Sequence, residues 1–481
     1  MKIQCGDTFV ELEVARGASL LDAVRAAGLP FAAPCAGKGT CGKCEVIVTD
    51  KSGVFAAQAC KTPADGVLSI EIPDTAALVS LELFEPAAPK HAHGVAIDLG
   101  SSTLDAQLID LETGKIVAKA GRMNPQIIYG VDVISRIEAA KAGHLPRLQQ
   151  LILDALHAMI MQLCDAAALP PKRLSAITLA GNTIMQHLAA GLSPAGIGAY
   201  PYQPQSYFGE PVPLWADLPP AWLAPCISGY VGGDIVAGML DNLLSACPRP
   251  SLLIDLGTNG EIALQTDTRA IAVSTAAGPV FEGMNIQCGM AALPGAIKSV
   301  SLGEVQGQLC VETVGGGDPK GICASGLIDI VALMLSQGLI DKTGRLCVTG
   351  DGESVSLGTH EIVITQKDIR NLQLAKAAIA AGIQVVLDAA GLAPTDIASL
   401  CIAGGFGLHI NNQNAAALGL IPQALLGKTA SIGNSSLAGA QRALLDPEIR
   451  AAMVKLARET EYIELSTNQN FTELFVDNMG F

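Results

Sequence analysis

Residues 1–80 alternate short apolar runs with polar turns, in an order that builds a small sheet around one helix. Paired apolar runs predict strands, and a capping-box pattern followed by apolar positions on one face predicts a helix. The predicted strands are Lys2–Cys5, 9–14, 45–48 and Val67–Ile72, with a helix that begins at Ser19 and ends at Gly28 and Pro30. This order predicts a β-grasp domain at residues 1–80.

Residues 81–93 contain Pro86 and Pro89 and are predicted to form a linker. We expect His91 and His93 in this linker to be exposed. A different pattern of apolar and polar residues follows the linker. An apolar strand runs into Asp98 and a Gly-hydroxyl turn, and the pattern repeats at Asp255, 157 residues later. Each copy continues into a second apolar run, as a β-hairpin would. The repeat predicts two similar α/β half-domains, 94–250 and 251–481, that face a cleft.

Composition and charge narrow the class of protein. Half of the 481 residues are hydrophobic, which supports large cores, and aromatic residues make up only 4%. A net charge of −15 argues against a nucleic-acid partner and against an anionic membrane surface. The N-terminus does not resemble a signal peptide, and the longest uncharged stretch, 397–427, is interrupted by Gly, Asn and Pro. We therefore expect a cytoplasmic protein.

Four of the 13 cysteines form a motif with the spacing Cys-x5-Cys-x2-Cys-x15-Cys. Three lie on one glycine-rich loop, and four thiolates in such a loop can ligate two sulfide-bridged irons. A structural zinc site more often uses two Cys-x2-4-Cys pairs, so the spacing favours a [2Fe–2S] cluster over zinc. The predicted ligands are Cys35, Cys41, Cys44 and Cys60. The scattered cysteines are interpreted as reduced, buried residues.

The two repeated turns have the chemistry of a polyphosphate site. Backbone N–H groups and hydroxyls in tight turns bind phosphate oxygens, and the two carboxylates can hold Mg²⁺ and orient a nucleophile. A third element, an apolar strand ending in a diglycine, lets the backbone approach an adenine or ribose, although the pattern alone equally fits a tight turn. The predicted ATP and Mg²⁺ residues are Asp98, Gly100, Ser101, Ser102, Thr103, Asp255, Gly257, Thr258, Asn259, Gly404 and Gly405, with Asp98 and Asp255 catalytic.

This arrangement resembles the acetate kinase, sugar kinase, Hsp70 and actin (ASKHA) superfamily, with two phosphate motifs and an adenosine motif. Further segments resemble one family more closely, the reductive activators of corrinoid proteins, in which a ferredoxin-type domain precedes the ATPase. These segments are 124–137, 180–187, 229–234, 274–283, 320–329 and 365–370 with Gln373 and Lys376. The stretch from residue 72 to residue 95 leaves no room for the small extra domain of longer members, so the chain resembles a short form.

The resemblance implies an ATP-hydrolysing iron–sulfur oxidoreductase. Its cofactors would be a [2Fe–2S] cluster, ATP and Mg²⁺, and it would return the inactive Co(II) corrinoid of a partner methyltransferase protein to Co(I). A low-potential electron donor would supply the electron, and the resemblance leaves a homodimer open. The alternatives are an activator of a 2-hydroxyacyl-CoA dehydratase-like enzyme, a redox-regulated small-molecule kinase and an ATP-gated scaffold.

Several residues in the resembling segments also have simple structural interpretations. Asp132 and Arg136 stand at i, i+4 spacing and fit a surface ion pair. Asn182 fits a helix N-cap, His187 a packed helical residue, and Cys323 a structural cysteine.

Overall fold

The computed structural model describes residues 1–5, 8–29, 31, 33, 35–40, 42–51, 53–72, 80–88, 90–245, 247–257, 259–303, 309–347, 354–357, 362–404 and 410–481. Within these ranges the chain divides into two compact units. The first contains Met1–Asp234 and Ala440–Ala451, and the second contains Ile235–Gly439 and Ala452–Phe481.

The N-terminal part of the first unit is a five-stranded sheet with one helix, as the β-grasp prediction requires. The central strands β1 and β5 are parallel, and the other pairs are antiparallel. The helix begins with a capping box at Ser19 and ends at Gly28 in the left-handed conformation. The sheet order is β2-β1-β5-β3-β4, and the elements are β1 (Lys2–Cys5), β2 (Thr8–Glu11), α1 (Leu20–Ala27), β3 (Glu45–Asp50), β4 (Gly53–Gln58) and β5 (Val67–Ile72).

The remainder of the first unit is built on a seven-stranded sheet of order β11-β12-β10-β7-β8-β9-β6. A 3₁₀ turn at Pro125–Tyr129 precedes the first helix of this part, and a π turn at Ala140–His144 joins the first helix to the second. The strands are β6 (Ser80–Leu83), β7 (His93–Leu99), β8 (Thr103–Asp110), β9 (Ile116–Met123), β10 (Leu174–Gly181), β11 (Pro211–Val212) and β12 (Ala221–Leu223), and the helices are α2 (Val133–Ala139), α3 (Leu145–Ala166) and α4 (Thr183–Ala190).

The segment predicted as a linker is partly ordered into this sheet. Residues 81–83 belong to β6, which pairs antiparallel with β9, because the backbone of this segment hydrogen-bonds to the otherwise free edge of β9. The prediction that both histidines are exposed is also wrong. His93 lies in β7 and is fully buried, and His91 Nδ1 is 2.6 Å from Asp110 Oδ2.

The second unit contains a six-stranded sheet of order β22-β21-β13-β14-β15-β23 and two smaller sheets. Its helices include α7, which has a capping box at Thr365 and Asp368. The strands are β13 (Ser251–Leu256), β14 (Gly260–Gln265), β15 (Ala270–Thr275), β16 (Ala296–Leu302), β17 (Leu309–Thr313), β18 (Gly321–Ile322), β19 (Ser354–Ser356), β20 (Val363–Thr365), β21 (Ser399–Ala403), β22 (Thr429–Gly433) and β23 (Glu461–Tyr462). The helices from residue 233 onward are α5 (Gly233–Leu244), α6 (Ala324–Ser336), α7 (Gln366–Ala390), α8 (Asn412–Ala417), α9 (Ser435–Leu445), α10 (Pro447–Glu459) and α11 (Phe471–Asp477).

The two large sheets repeat the same five-strand core. In the first unit an antiparallel meander β7-β8-β9 is extended by the parallel strands β10 and β12. In the second unit the meander β13-β14-β15 is extended by the parallel strands β21 and β22. The sequence repeat at Asp98 and Asp255 therefore corresponds to a repeated fold, and each copy lies at the first hairpin of its sheet.

One described helix, α7, is long and apolar enough to cross a bilayer, with 72% of its most apolar window buried inside the fold. It packs against β14 and β15, so its apolar residues are accounted for by the core of the second unit.

Candidate functional site

The described part of the cysteine motif brings two of the predicted ligands into contact. Cys44 immediately precedes β3 and is buried, Cys60 follows β4, and their Sγ atoms are 3.3 Å apart. The Cys44 carbonyl accepts a 2.7 Å hydrogen bond from Ala59 N–H, which fixes the two cysteines side by side. Two thiolates at this separation can share one tetrahedral metal ion.

The other two predicted ligands belong to the loop between α1 and β3. Cys35 is half-buried in this loop, and Cys41 lies outside the described residues. The loop turns through Gly39 and Gly42, which have φ values of 74° and 69°, a region that glycine adopts without steric penalty. Among the described residues, which omit Cys41, no three His, Cys, Asp or Glu side chains converge as a metal site.

The first predicted phosphate turn is the hairpin between β7 and β8. Asp98 is half-buried near the end of β7, and Gly100 to Ser102 form the turn before Thr103 begins β8. A Cβ at Gly100 would lie 2.5 Å from the Thr103 carbonyl oxygen, so the turn is too tight for a side chain there.

Three consecutive carbonyls of this turn are held by side chains and backbone from elsewhere in the first unit. Asn124 donates from Nδ2 to the Gly100 carbonyl (2.9 Å) and from its backbone N–H to the Ser102 carbonyl (2.8 Å). Arg136 donates to the Ser101 carbonyl at 2.5 Å. Because Asn124 and Arg136 already donate hydrogen bonds to these three carbonyls, the turn is held in one conformation before any ligand binds.

A third polar residue, Asn182, reaches the same turn. Its Nδ2 donates to Ser101 Oγ at 3.0 Å, while its Oδ1 accepts from Met185 N–H and caps α4, as predicted. The interpretation of Asp132 and Arg136 as a surface pair is wrong. Asp132 caps α2, whereas Arg136 is fully buried. A charged residue on an otherwise apolar helix face was the signal that could have indicated this burial.

Each hairpin also places a second carboxylate opposite its motif aspartate. Asp105 pairs with Asp98 across β7 and β8, and Glu261 pairs with Asp255 across β13 and β14. Burial, together with the negative charge of Asp98, raises the pKa of Asp105 to about 7. The sequence interpretation missed both partners, although counting residues across each hairpin would have found them.

The second phosphate turn lies between β13 and β14 and is closed by a 3.1 Å hydrogen bond from Gly257 N–H to the Asn259 carbonyl. Asp255 and Asn259 are half-buried, and Thr258 lies outside the described residues.

The diglycine lies beside this second turn. Gly404 follows β21 with a φ of 91°, and a Cβ there would lie 3.1 Å from Asp255 Oδ1. Its N–H donates to the carbonyl of Gly433, just before α9. Gly405 lies outside the described residues. The structure thus brings together the second aspartate, the described half of the diglycine and the segment that leads into α9.

Four further residues of the resembling segments make contacts that support the fold. His187 is buried, its Nε2 accepts from Gln205 and Ser206 N–H groups, and burial lowers its pKa. Cys323 is buried at the N-terminus of α6. Gln373 and Lys376 of α7 donate to the carbonyls of Met479 and Gly480, so they anchor the last residues of the chain. Burial lowers the pKa of Lys376 to about 8.

Three family models match successive parts of the chain. A 2Fe-2S iron–sulfur cluster binding domain matches residues 5–66, the RACo middle region matches residues 93–246, and the C-terminal ASKHA domain of RACo matches residues 249–481. The chain therefore combines an N-terminal ferredoxin-type domain with an ASKHA domain, which confirms the predicted fold class and supports binding of a [2Fe–2S] cluster and of ATP.

Individual relatives cover most of the chain. It is 33% identical over 426 residues to a corrinoid activation enzyme, RamQ, of Eubacterium limosum, covering 82% of this chain and 71% of the relative. It is 27% identical over 428 residues to a [Co(II) methylated amine-specific corrinoid protein] reductase of Methanosarcina barkeri, covering 81% and 77%. The solved structure of a reductive activator for a corrinoid iron–sulfur protein superposes with a TM-score of 0.74 at 30% identity, covering 100% of this chain and 98% of that one. The chain belongs to the family of reductive activators of corrinoid proteins.

Proposed function

We propose that the protein uses ATP to drive one electron onto the Co(II) corrinoid of a partner methyltransferase protein, which restores Co(I). The main support for this proposal is that one chain contains two kinds of site. The adjacent thiols of Cys44 and Cys60 lie in a ferredoxin-type domain, and two aspartate hairpins lie in an ASKHA domain. An electron carrier alone needs no ATP site, and a kinase needs no iron–sulfur domain.

In the ferredoxin-type domain, Cys35, Cys41, Cys44 and Cys60 hold the cluster as thiolates. A [2Fe–2S] cluster supplies one electron at a time at low potential. The contact between Cys44 and Cys60 supports both as ligands of the cluster, and Cys35 and Cys41 would complete the set.

In the ASKHA domain, the turns at residues 100–103 and 257–259 are the phosphate-binding elements, and Gly404 with Gly405 approaches the adenosine. Asp98 and Asp255 would each supply a carboxylate that can hold Mg²⁺, directly or through water, or orient the water that attacks the γ-phosphate. ATP and water give ADP and phosphate. This reaction favours electron transfer only if the ATP-bound and ADP-bound proteins differ in conformation.

The direct test follows the Co(II) EPR signal of a purified corrinoid methyltransferase protein mixed with this protein and a chemical reductant. We expect the signal to disappear when ATP is present and to persist without ATP or with a nonhydrolysable analogue. Persistence of Co(II) under all three conditions would overturn the proposal.

The same sample separates the alternatives. A 2-hydroxyacyl-CoA dehydratase-type activator would show the spectrum of a four-iron cluster, whereas the match to a two-iron domain supports a two-iron spectrum. A redox-regulated kinase would consume ATP only when a small-molecule acceptor is added.

A further inference from the structure

One arginine of the ferredoxin-type domain donates hydrogen bonds to the ASKHA part of the first unit. Arg25, in α1, donates from Nε and Nη2 to the Ile128 carbonyl at 3.2 and 3.1 Å. The same Nη2 donates to the carbonyl of Ala36 at 3.0 Å, in the cluster loop and next to Cys35. The guanidinium carbon also lies 5.2 Å from the centre of the Tyr129 ring. One side chain therefore connects the cluster loop to residues 128–129.

Two further contacts surround Arg25. The guanidinium of Arg147, in α3, lies so close to Gly28 that a Cβ there would collide with it. Ala36 Cβ is 3.6 Å from the position a Cβ would take at Gly130. Buried apolar residues of the β-grasp sheet and of the seven-stranded sheet also form one contiguous cluster. The interface is therefore packed and specific.

Residues 124–130, here named the docking segment, are tied at both ends to the first phosphate turn. At one end Asn124 binds the carbonyls of Gly100 and Ser102. At the other end the Gly130 carbonyl accepts from Arg136 Nε at 3.3 Å, and Arg136 also holds the Ser101 carbonyl. A shift of the phosphate turn therefore displaces the docking segment, because hydrogen bonds of 2.5 to 3.3 Å through Asn124 and Arg136 join the two.

We propose that Arg25 couples the iron–sulfur domain to the nucleotide through the docking segment. Nucleotide at the first turn shifts residues 100–102, this shift displaces the docking segment, and the docking segment sets how Arg25 holds the carbonyl beside Cys35. This inference rests on the proposed function for the cluster ligands and for ATP at the first turn, and it adds the route between them.

Coupling of this kind is reciprocal. If nucleotide favours one arrangement of Arg25, the oxidation state of the cluster must change nucleotide affinity by the same factor by which nucleotide changes the redox equilibrium. We expect about a tenfold difference in the affinity for a nonhydrolysable ATP analogue between the oxidised and reduced protein. For a one-electron couple this equals a shift of about 59 mV in the cluster potential.

The test is a redox titration of the full-length protein, followed by EPR, with and without the analogue and without any corrinoid protein. Wild type should show the shift, and Arg25→Ala should show the same potential under both conditions. Arg16→Ala removes an equally charged, exposed side chain from the same domain. Its cluster potential should shift with the analogue as the wild-type potential does. Arg147→Ala perturbs the interface from its ASKHA side and should reduce the shift even if Arg25→Ala fails to retain its cluster.

A wild-type potential that does not respond to nucleotide, or an undiminished response in Arg25→Ala and Arg147→Ala, would overturn this inference. Because no corrinoid protein is present, either result leaves the Co(II) experiment to judge the proposed function separately. Conversely, a nucleotide-dependent potential in a protein that fails to reduce Co(II) would retain the coupling and reject the corrinoid substrate.

Discussion

Arg136 holds the backbone of the first phosphate turn by a 2.5 Å hydrogen bond to the carbonyl of Ser101. The side chain is fully buried and also donates to Gly130. A buried guanidinium is retained where its several donors are all used, because desolvating the charge is otherwise unfavourable. The turn thus depends on a residue 35 positions away in sequence.

Replacing Arg136 should weaken both stability and nucleotide binding. Arg136→Met leaves the Ser101 and Gly130 carbonyls without these donors, so we expect the free energy of unfolding to fall by about 2–5 kcal/mol. Urea denaturation and ATP-analogue titration measure the two effects. Lys141→Met removes only an exposed i, i+3 ion pair and should change stability by less than about 0.5 kcal/mol. Equal effects of the two substitutions would contradict the role given to Arg136.

Removing the charge of either motif aspartate should stop ATP hydrolysis without affecting the cluster. Asp98→Asn and Asp255→Asn keep the side-chain size but lose the charge that would hold Mg²⁺, so ATP turnover should fall about a hundredfold or more. Both variants should accept an electron from a chemical reductant at the wild-type rate and fail to form Co(I) on the partner. Asp267→Asn, an exposed residue of the second unit, is the control. If either variant activates the partner at the wild-type rate, ATP does not drive the transfer.

Each predicted cluster ligand should be essential to the two-iron spectrum. Cys35→Ser, Cys41→Ser, Cys44→Ser and Cys60→Ser should each lose the [2Fe–2S] absorption and EPR signals, because serine is a much poorer ligand for iron than a thiolate. Cys164→Ser and Cys247→Ser should keep them. An unchanged EPR spectrum in any of the first four variants would remove that residue from the ligand set.

A side chain at Gly404 should damage the nucleotide site selectively. Gly404→Ala forces a left-handed conformation on an L-residue, at about 1–2 kcal/mol, and places a methyl group 3.1 Å from Asp255 Oδ1. We expect ATP affinity to fall about tenfold while the cluster spectrum is unchanged. Gly427→Ala, in the same unit and with open space around its Cβ, should bind ATP as wild type does. Loss of binding in both variants would indicate general destabilisation.

The pair His91 and Asp110 should make stability depend on pH. The hydrogen bond to Asp110 raises the pKa of His91 above 6.5, in spite of desolvation. Burial alone would raise the pKa of Asp110, but hydrogen bonds from His91, Thr113 and Glu112 outweigh it and lower the pKa to about 2. The contribution of His91 is therefore complete below pH 6.5 and is lost as pH rises through its raised pKa.

We accordingly expect His91→Ala to lower the urea midpoint more at pH 5 than at pH 9. Below pH 4 the difference should shrink again, since the stabilisation from Asp110 is lost as pH falls toward 2. A midpoint difference that is constant from pH 5 to pH 9 would show that the ion pair contributes nothing.

The sequence predicted the structural elements that depend on residues close together in the chain. The capping box at Ser19, the strand before each motif aspartate and the cap at Asn182 depend on neighbouring residues, and each is present. The duplicated hairpins were predictable because the repeat preserves the position of the aspartate before the turn.

Contacts between residues far apart in sequence were not predictable in this way. Three such contacts depend on how sheets and helices pack, and no local sequence pattern encodes that packing. They are the burial of Arg136, the pairing of β6 with β9 and the hydrogen bonds from Arg25 to Ile128. Arg25 and Ile128 are 103 residues apart, and each looks ordinary within its own helix or turn.

The pairing of β6 with β9 also limits how far the iron–sulfur domain can travel. Because Ser80 is fixed in the seven-stranded sheet, only residues 73–79 connect β5 to that sheet. A chain of this length spans at most about 25 Å when fully extended. The C-terminal end of β5 therefore stays within that distance of Ser80 in every arrangement of the iron–sulfur domain, so a partner that accepts the electron must come to the cluster near the ASKHA domain.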